Sequence, residues 1–193
     1  MTILCLGLSF RTASIELREQ LSLSRSAAQS TLERCCGWRD SHLSLEAELA
    51  VLSTCNRLEL YLAAKDLPID QAASAMMGFI ADCHGIAVAA VESHLYRHDQ
   101  LDAVHHLCEV AAGLDSMVLG ESQILGQVGE AIELSLRERA AGTVLSNLFR
   151  IAVRAGKRAQ TETTIGRNSV SVGSAAVKRA EQEIGHAALR DAK

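Results

Sequence analysis

At 193 residues, with 48% hydrophobic and 22% charged residues, the chain is long enough for one good core, or for one domain and a fragment of another. Its formal net charge of −4 excludes a protein that holds nucleic acid by overall basic character, and no run of about 18 apolar residues offers a transmembrane helix, so no membrane partner is expected. Cysteines 5, 35, 36, 55, 83 and 108 form no CxxC pair and no disulfide scaffold, and a strand-like stretch begins at Ile3 with no targeting segment before it, so the thiols read as reduced and the protein as cytoplasmic.

Aromatic residues make up only 3% of the chain, which leaves Leu, Ala, Val and Ile to build the core. Ile3 to Ser9 reads as the first strand and Ser14 to Gln20 as a short helix or turn. Ser24 is placed to cap a helix through Ala27, Ala28, Leu32 and Cys35-Cys36, which Gly37 ends; Trp38 to Ser44 follow as a loop. Glu46–Ser53 and Arg57–Ala63 read as the second and third strands, the latter half-buried because Leu58, Leu60 and Leu62 alternate with Glu59 and Tyr61. Pro68 opens a helix through Ala72, Met76, Met77, Phe79 and Ile80 that ends near His84-Gly85. The fold class is α/β, an α+β sandwich: a three- to four-stranded sheet with helices in about the first 95 residues, then an all-helical second half. Zinc needs four converging ligands. His94 and His98 share a face only if their segment is helical, and nothing joins them, so no metal is expected.

Leu52 to Tyr61 carries the chemistry. Cys55 lies at a strand end, and in an extended backbone Cys55, Arg57 and Glu59 point one way. A thiolate is the attacking species and a nearby cation favours it, a charge Arg57 is placed to supply. A lone cysteine by a strand is also, as a rule, a small buried hydrophobe, so these residues alone leave both readings open.

In the second half, Leu101, Val104, Leu107, Cys108 and Ala111 define one apolar face of a helix from Asp99 to Ala112, with His106 almost opposite and His105 near the edge. Gly120-Glu121-Ser122-Gln123 leads into a long helix to about Ala141, where Gln123 and Gln127 share a face. After Gly142-Thr143, a helix from about Val144 to Gln160 buries Leu145, Leu148, Phe149, Ala152 and Gly156. On another face it carries Arg150, Arg154, Lys157 and Arg158. Between Arg137 and Arg167 seven basic residues face two acidic ones, so this stretch reads either as a solvated face or as a stripe that follows a nucleic-acid backbone. One more helix is expected after Asn168-Ser169, ending near Gly185.

Ser53-Thr54-Cys55-Asn56-Arg57, with Glu59 and Tyr61, resembles the signature of glutamyl-tRNA reductase, the enzyme that opens the C5 route to tetrapyrroles. Two further blocks agree: Gly113 to Val128, and Ala155-Gly156-Lys157-Arg158 with Thr164-Ile165-Gly166. Leu58 and Ser122 stand where the family more often has other residues. The resemblance implies a glutamyl-tRNA substrate whose ester carbonyl is attacked by Cys55, giving a thioester that NADPH reduces to glutamate-1-semialdehyde. It implies His106 as the histidine that orients or transfers protons. It gives Arg57 either to the side-chain carboxylate of the substrate, the favoured reading, or to activation of the thiol. It gives Thr54, Asn56, Ser116, Glu121, Ser122, Gln123 and Gln127 to the rest of the glutamyl group and the terminal adenosine, and Arg150, Arg154, Lys157 and Arg158 to the tRNA.

Members of the family continue into an NADPH-binding domain and a dimerisation domain, whereas no GxGxxG occurs here. Residues 1–165 are therefore expected to be the catalytic domain and 166–193 a linker with the first helix of the cofactor domain, as an excised piece or a natural short form. The intact enzyme would be a homodimer and this chain a monomer. The competing readings are a stand-alone cysteine acyl-transfer or esterase domain, and a non-catalytic tRNA-binding regulatory remnant.

Overall fold

In the computed structural model, residues 1–42, 46–165 and 179 are described, with 36 and 39–42 described by their backbone alone. The helix expected after Asn168 and the 166–193 boundary lie outside them. Four strands form one antiparallel sheet in the order β2-β3-β1-β4: β1 (Thr2–Ser9), β2 (Glu48–Ser53), β3 (Arg57–Ala64) and β4 (Tyr96–Asp99). Helices α1 (Ile15–Leu21), α2 (Arg25–His42) and α3 (Ile69–His84) precede β4, and α4 (Leu101–Ala111), α5 (Gln123–Arg137) and α6 (Thr143–Glu162) follow it.

Because successive strand residues face opposite ways, the sheet has two inner surfaces. Leu4, Leu6, Leu8, Val51, Leu58, Leu60 and Leu62 pack on one side with Leu32 of α2 and Met76, Phe79 and Ile80 of α3. Cys5, Ala50, Leu52, Tyr61 and Ala63 pack on the other with residues of α4, α5 and α6, among them Leu107, Val128, Leu145 and Phe149. Each fully buried leucine stabilises such a core by about 1.5–3 kcal/mol. The half-buried reading of β3 is corrected here: every residue from Arg57 to Ala64 is buried, because the C-terminal helices cover the face that carries its polar groups.

Local signals set most helix ends. Ser14 Oγ accepts from Leu17 N–H to start α1, Ser24 Oγ accepts from Ala27 N–H at 3.2 Å to start α2, and Gly85 ends α3 at φ 63°. Glu48 caps α6 from a distance, its carboxylate accepting from Val144 N–H at 3.0 Å and Leu145 N–H at 2.7 Å.

Three sequence expectations are corrected. Gly37 does not end α2; the helix runs on to His42, and Trp38 packs on Phe79 with ring centroids 4.5 Å apart. That contact works against the helix cost of a glycine, about 1 kcal/mol. His94 and His98 are not on one helix: His94 ends a short 3-10 turn and His98 lies in β4. The inner face of α4 is Ala103, His106, Leu107, Val110 and Ala111, while Leu101 is 72% exposed. His106 therefore points inward.

Candidate active site

The turn between β2 and β3 is built by short polar side chains. Thr54 N–H donates to the Arg57 carbonyl at 2.9 Å, and Thr54 Oγ1 accepts from Asn56 N–H at 3.1 Å and Arg57 N–H at 3.2 Å. Phe10 N–H donates to the Asn56 carbonyl at 2.9 Å and ties the turn to the end of β1. Arg18 of α1, which carried no signal in the sequence, donates from Nη1 to the Cys55 carbonyl and to Asn56 Oδ1, both at 3.0 Å. Its Nε is buried without a partner. Cys55 thus sits in the bend, backbone held and side chain exposed, whereas Cys5 and Cys35 are buried. Burial and the neighbouring Glu59 raise the Cys5 thiol well above the ordinary range, so that cysteine is a core residue.

A small pocket opens at this turn, lined by Thr54, Cys55, Asn56 and Arg57 on one side and by Ser116, Glu121, Gln123, Ile124 and Gln127 on the other. The second wall comes from the α4–α5 connection and the first turns of α5. Its shape depends on Gly120, which at φ 77° would place a Cβ 2.2 Å from the Ile165 carbonyl oxygen. A wider groove between α2 and α5 adjoins it and shares Gln127.

Behind the pocket lies a buried polar cluster. Glu59, 0% exposed, accepts from Arg57 Nη1 at 2.5 Å, Tyr61 OH at 2.6 Å, Tyr96 OH at 2.5 Å and His106 Nε2 at 2.8 Å. Burial alone would raise the Glu59 carboxyl; Arg57 and the hydrogen bond from His106 reverse this and hold it well below the carboxylate range. Burial likewise works against the Arg57 cation, and Glu59 more than restores it. An ionised carboxylate only accepts, so Nε2 of His106 carries a proton. His106 stacks on His98 with ring centroids 4.3 Å apart; burial, then His106, depress the His98 pKa.

Arg57 is already engaged on both terminal nitrogens. Nη2 donates to the Asp115 carbonyl and, at 3.1 Å, to Asp115 Oδ2. The sequence reading of Arg57 as an open carboxylate clamp did not include Asp115.

The structure brings seven of the eight expected substrate residues and Cys55 to a single pocket. Ser122 is exposed ahead of α5 and does not line it. Nor does His106, whose position is with Glu59 behind Arg57. Arg150, Arg154, Lys157 and Arg158 are exposed along α6; Arg158 pairs with Glu162 at 3.0 Å, and Arg150 donates to Asn147 at 2.8 Å. Cys5, Glu59 and His106 place ligand-type atoms within 4.8 Å of one another. Arg57 and two tyrosines occupy that carboxylate, however, so a cation there would have to displace Arg57. No single helix among the described residues is long and apolar enough to cross a membrane.

The family described as glutamyl-tRNAGlu reductase, N-terminal domain, matches residues 6–163. The glutamyl-tRNA reductase of Pelotomaculum thermopropionicum is 43% identical over 185 residues, covering 96% of this chain and 40% of the relative. That of Parasynechococcus marenigrum is 40% identical over 185 residues, covering 96% and 41%. Among solved structures, glutamyl-tRNA reductase from Methanopyrus kandleri superposes with a TM-score of 0.65 at 30% identity, over 95% of this chain and 40% of that one. The chain spans about two fifths of the length of these relatives.

Proposed function

The chain belongs to the glutamyl-tRNA reductase family as its N-terminal, catalytic domain, and from that premise we propose that it carries out the acyl-transfer half of the reaction at Cys55. The observation that carries the proposal is the pocket itself: an exposed cysteine, fixed through its backbone by Arg18, faces a polar wall of Ser116, Glu121, Gln123 and Gln127.

The substrate is glutamyl-tRNA. The Cys55 thiolate attacks the ester carbonyl carbon; a carbon–sulfur bond forms, the carbon–oxygen bond to the terminal ribose breaks, and the ribose oxygen takes a proton. The product is a glutamyl thioester and uncharged tRNA. Arg57, at the pocket floor, receives the side-chain carboxylate, because a guanidinium suits a carboxylate. Glu121 suits the α-ammonium by charge, and Thr54, Asn56, Gln123 and Gln127 supply donors and acceptors for the remaining polar atoms and the terminal adenosine. His106 acts through Glu59, which it and two tyrosines hold ionised against Arg57, and so serves as a positioning residue.

NADPH supplies hydride in a reductase of this family. The sequence has no GxGxxG and the described sheet is antiparallel throughout, so the residues described do not fit a dinucleotide, and acyl transfer is the chemistry they support. The exposed basic stripe on α6 supports tRNA contact through phosphates.

A single-turnover assay with protein in excess over glutamyl-tRNA tests this reading. Release of uncharged tRNA should fall at least about a hundredfold in Cys55→Ser, on the scale at which nucleophile loss is felt. Undiminished cleavage by Cys55→Ser would overturn it.

A further inference from the structure

Arg57 carries one positive charge and faces two carboxylates. Glu59 is fully buried and held by four donors, a permanent partner. Asp115 differs in each respect. Its side chain is 18% exposed, and it immediately precedes Ser116 on the pocket wall. Its two carboxylate oxygens are split between two arginines: Oδ2 is 3.1 Å from Arg57 Nη2, and Oδ1 accepts from Arg11 Nε at 2.6 Å, where the Arg11 side chain is 59% exposed.

The segment carrying Asp115 hangs from a neck of two glycines. Gly113 and Gly120 have φ of 73° and 77°, and Gly120 N–H donates to the Gly113 carbonyl at 2.9 Å. Between them Leu114, Met117 and Leu119 are largely exposed, so the segment has little apolar anchorage of its own. The contacts of Asp115 with the two arginines are therefore prominent among those that hold it down.

We infer that Asp115 is an internal stand-in for the substrate carboxylate: with its side chain and its main-chain carbonyl it occupies Nη2 of Arg57 in the free protein, gives that nitrogen up to the glutamyl side chain, and is then retained by Arg11. The inference rests on the proposed glutamyl site and adds a source of selectivity. Exchanging one carboxylate for another on a buried guanidinium keeps its charge balanced. A neutral glutaminyl side chain would replace a carboxylate with an amide oxygen on Nη2 of Arg57, exchanging a charge-assisted hydrogen bond for a weaker one. The free protein gives up some affinity to self-occupancy, because the competent state is only part of the population.

The test uses L-isoglutamine, which has a free side-chain carboxylate and an unreactive α-amide. The readout is the concentration that half-protects Cys55 from iodoacetamide, followed by peptide mass mapping on the wild type, Asp115→Asn and Arg11→Ala, each checked for an unchanged melting transition. With the competing carboxylate removed and the main-chain carbonyl left in place, Asp115→Asn should be half-protected at about a tenfold lower concentration. Arg11→Ala, which leaves Asp115 with Arg57 as its sole arginine partner, should need a higher one. Equal protection in Asp115→Asn and wild type, or a shift of both variants in one direction, would overturn the stand-in and leave the glutamyl site intact. Absence of protection in the wild type would overturn both. Should Asp115→Asn fail to fold, an unchanged or lowered half-protecting concentration in Arg11→Ala would overturn the stand-in alone.

Discussion

Tyr96 on β4 donates its hydroxyl to Glu59 on β3 at 2.5 Å across an intervening strand, because the β1 residue paired with both of them is Gly7. A Cβ at Gly7 would lie 2.6 Å from the Leu58 carbonyl oxygen and 2.8 Å from Glu59 Cγ. The buried Glu59 carboxylate is thus accommodated by the absence of a side chain on its neighbour.

Gly7→Ala should therefore destabilise the fold by about 1–3 kcal/mol, the usual cost of overpacking, and should weaken acyl transfer by shifting Glu59 away from Arg57. Chemical denaturation and the tRNA-release assay check both. A variant as stable and as active as the wild type would show that the sheet relaxes freely at this point.

The Glu59 pair itself has a pH signature. Removing one partner of a buried ion pair costs about 3–5 kcal/mol, so Glu59→Gln should lose stability of that order at neutral pH. The folded-state pKa of Glu59 is depressed, so its stabilising contribution is complete above the unfolded carboxylate value of about 4.3 and is lost as pH falls below it. The gap between wild type and Glu59→Gln should narrow on acidification. Urea denaturation from pH 7 to pH 3 measures it, and a constant gap would contradict the assignment.

The basic face of α6 is not uniform. Arg158 is paired with Glu162 and Arg150 with Asn147, while Arg154 and Lys157 have no side-chain partner among the described residues. If the stripe contacts tRNA phosphates, Arg154→Ala and Lys157→Ala should each weaken binding and reduce the salt slope by about 1, and Arg158→Ala should do less. Filter binding across a salt series reads this. Unchanged slopes would return the stripe to an ordinary solvated face.

The local motifs were legible because their geometry is short-range. Thr54-Cys55-Asn56-Arg57 closes its own turn, and the Ser116 to Gln127 wall is one loop and the helix it opens. What the sequence concealed depends on partners far along the chain. The inner face of α4 was misread because a count of apolar residues favoured Leu101 and Val104. His106 is buried by a hydrogen bond to Glu59, 47 residues away, which periodicity cannot see. Strand β4 was passed over because Tyr96-Arg97-His98-Asp99 is polar, and it joins the sheet as an edge whose Arg97 is tied to Asp70 and Asp99. Arg18 stood in no motif, and Asp115 lay inside the Gly113 to Val128 block without a role; the contacts of both became visible only when tertiary structure brought them to the turn and to Arg57.

The most direct test of the central claim is intact-protein mass spectrometry after mixing with glutamyl-tRNA and quenching in acid, with wild type beside Cys55→Ser. A single glutamyl adduct on the wild type and none on the variant is the predicted result. No adduct on the wild type, with the tRNA ester still intact, would contradict the assignment of Cys55 as the nucleophile of this domain.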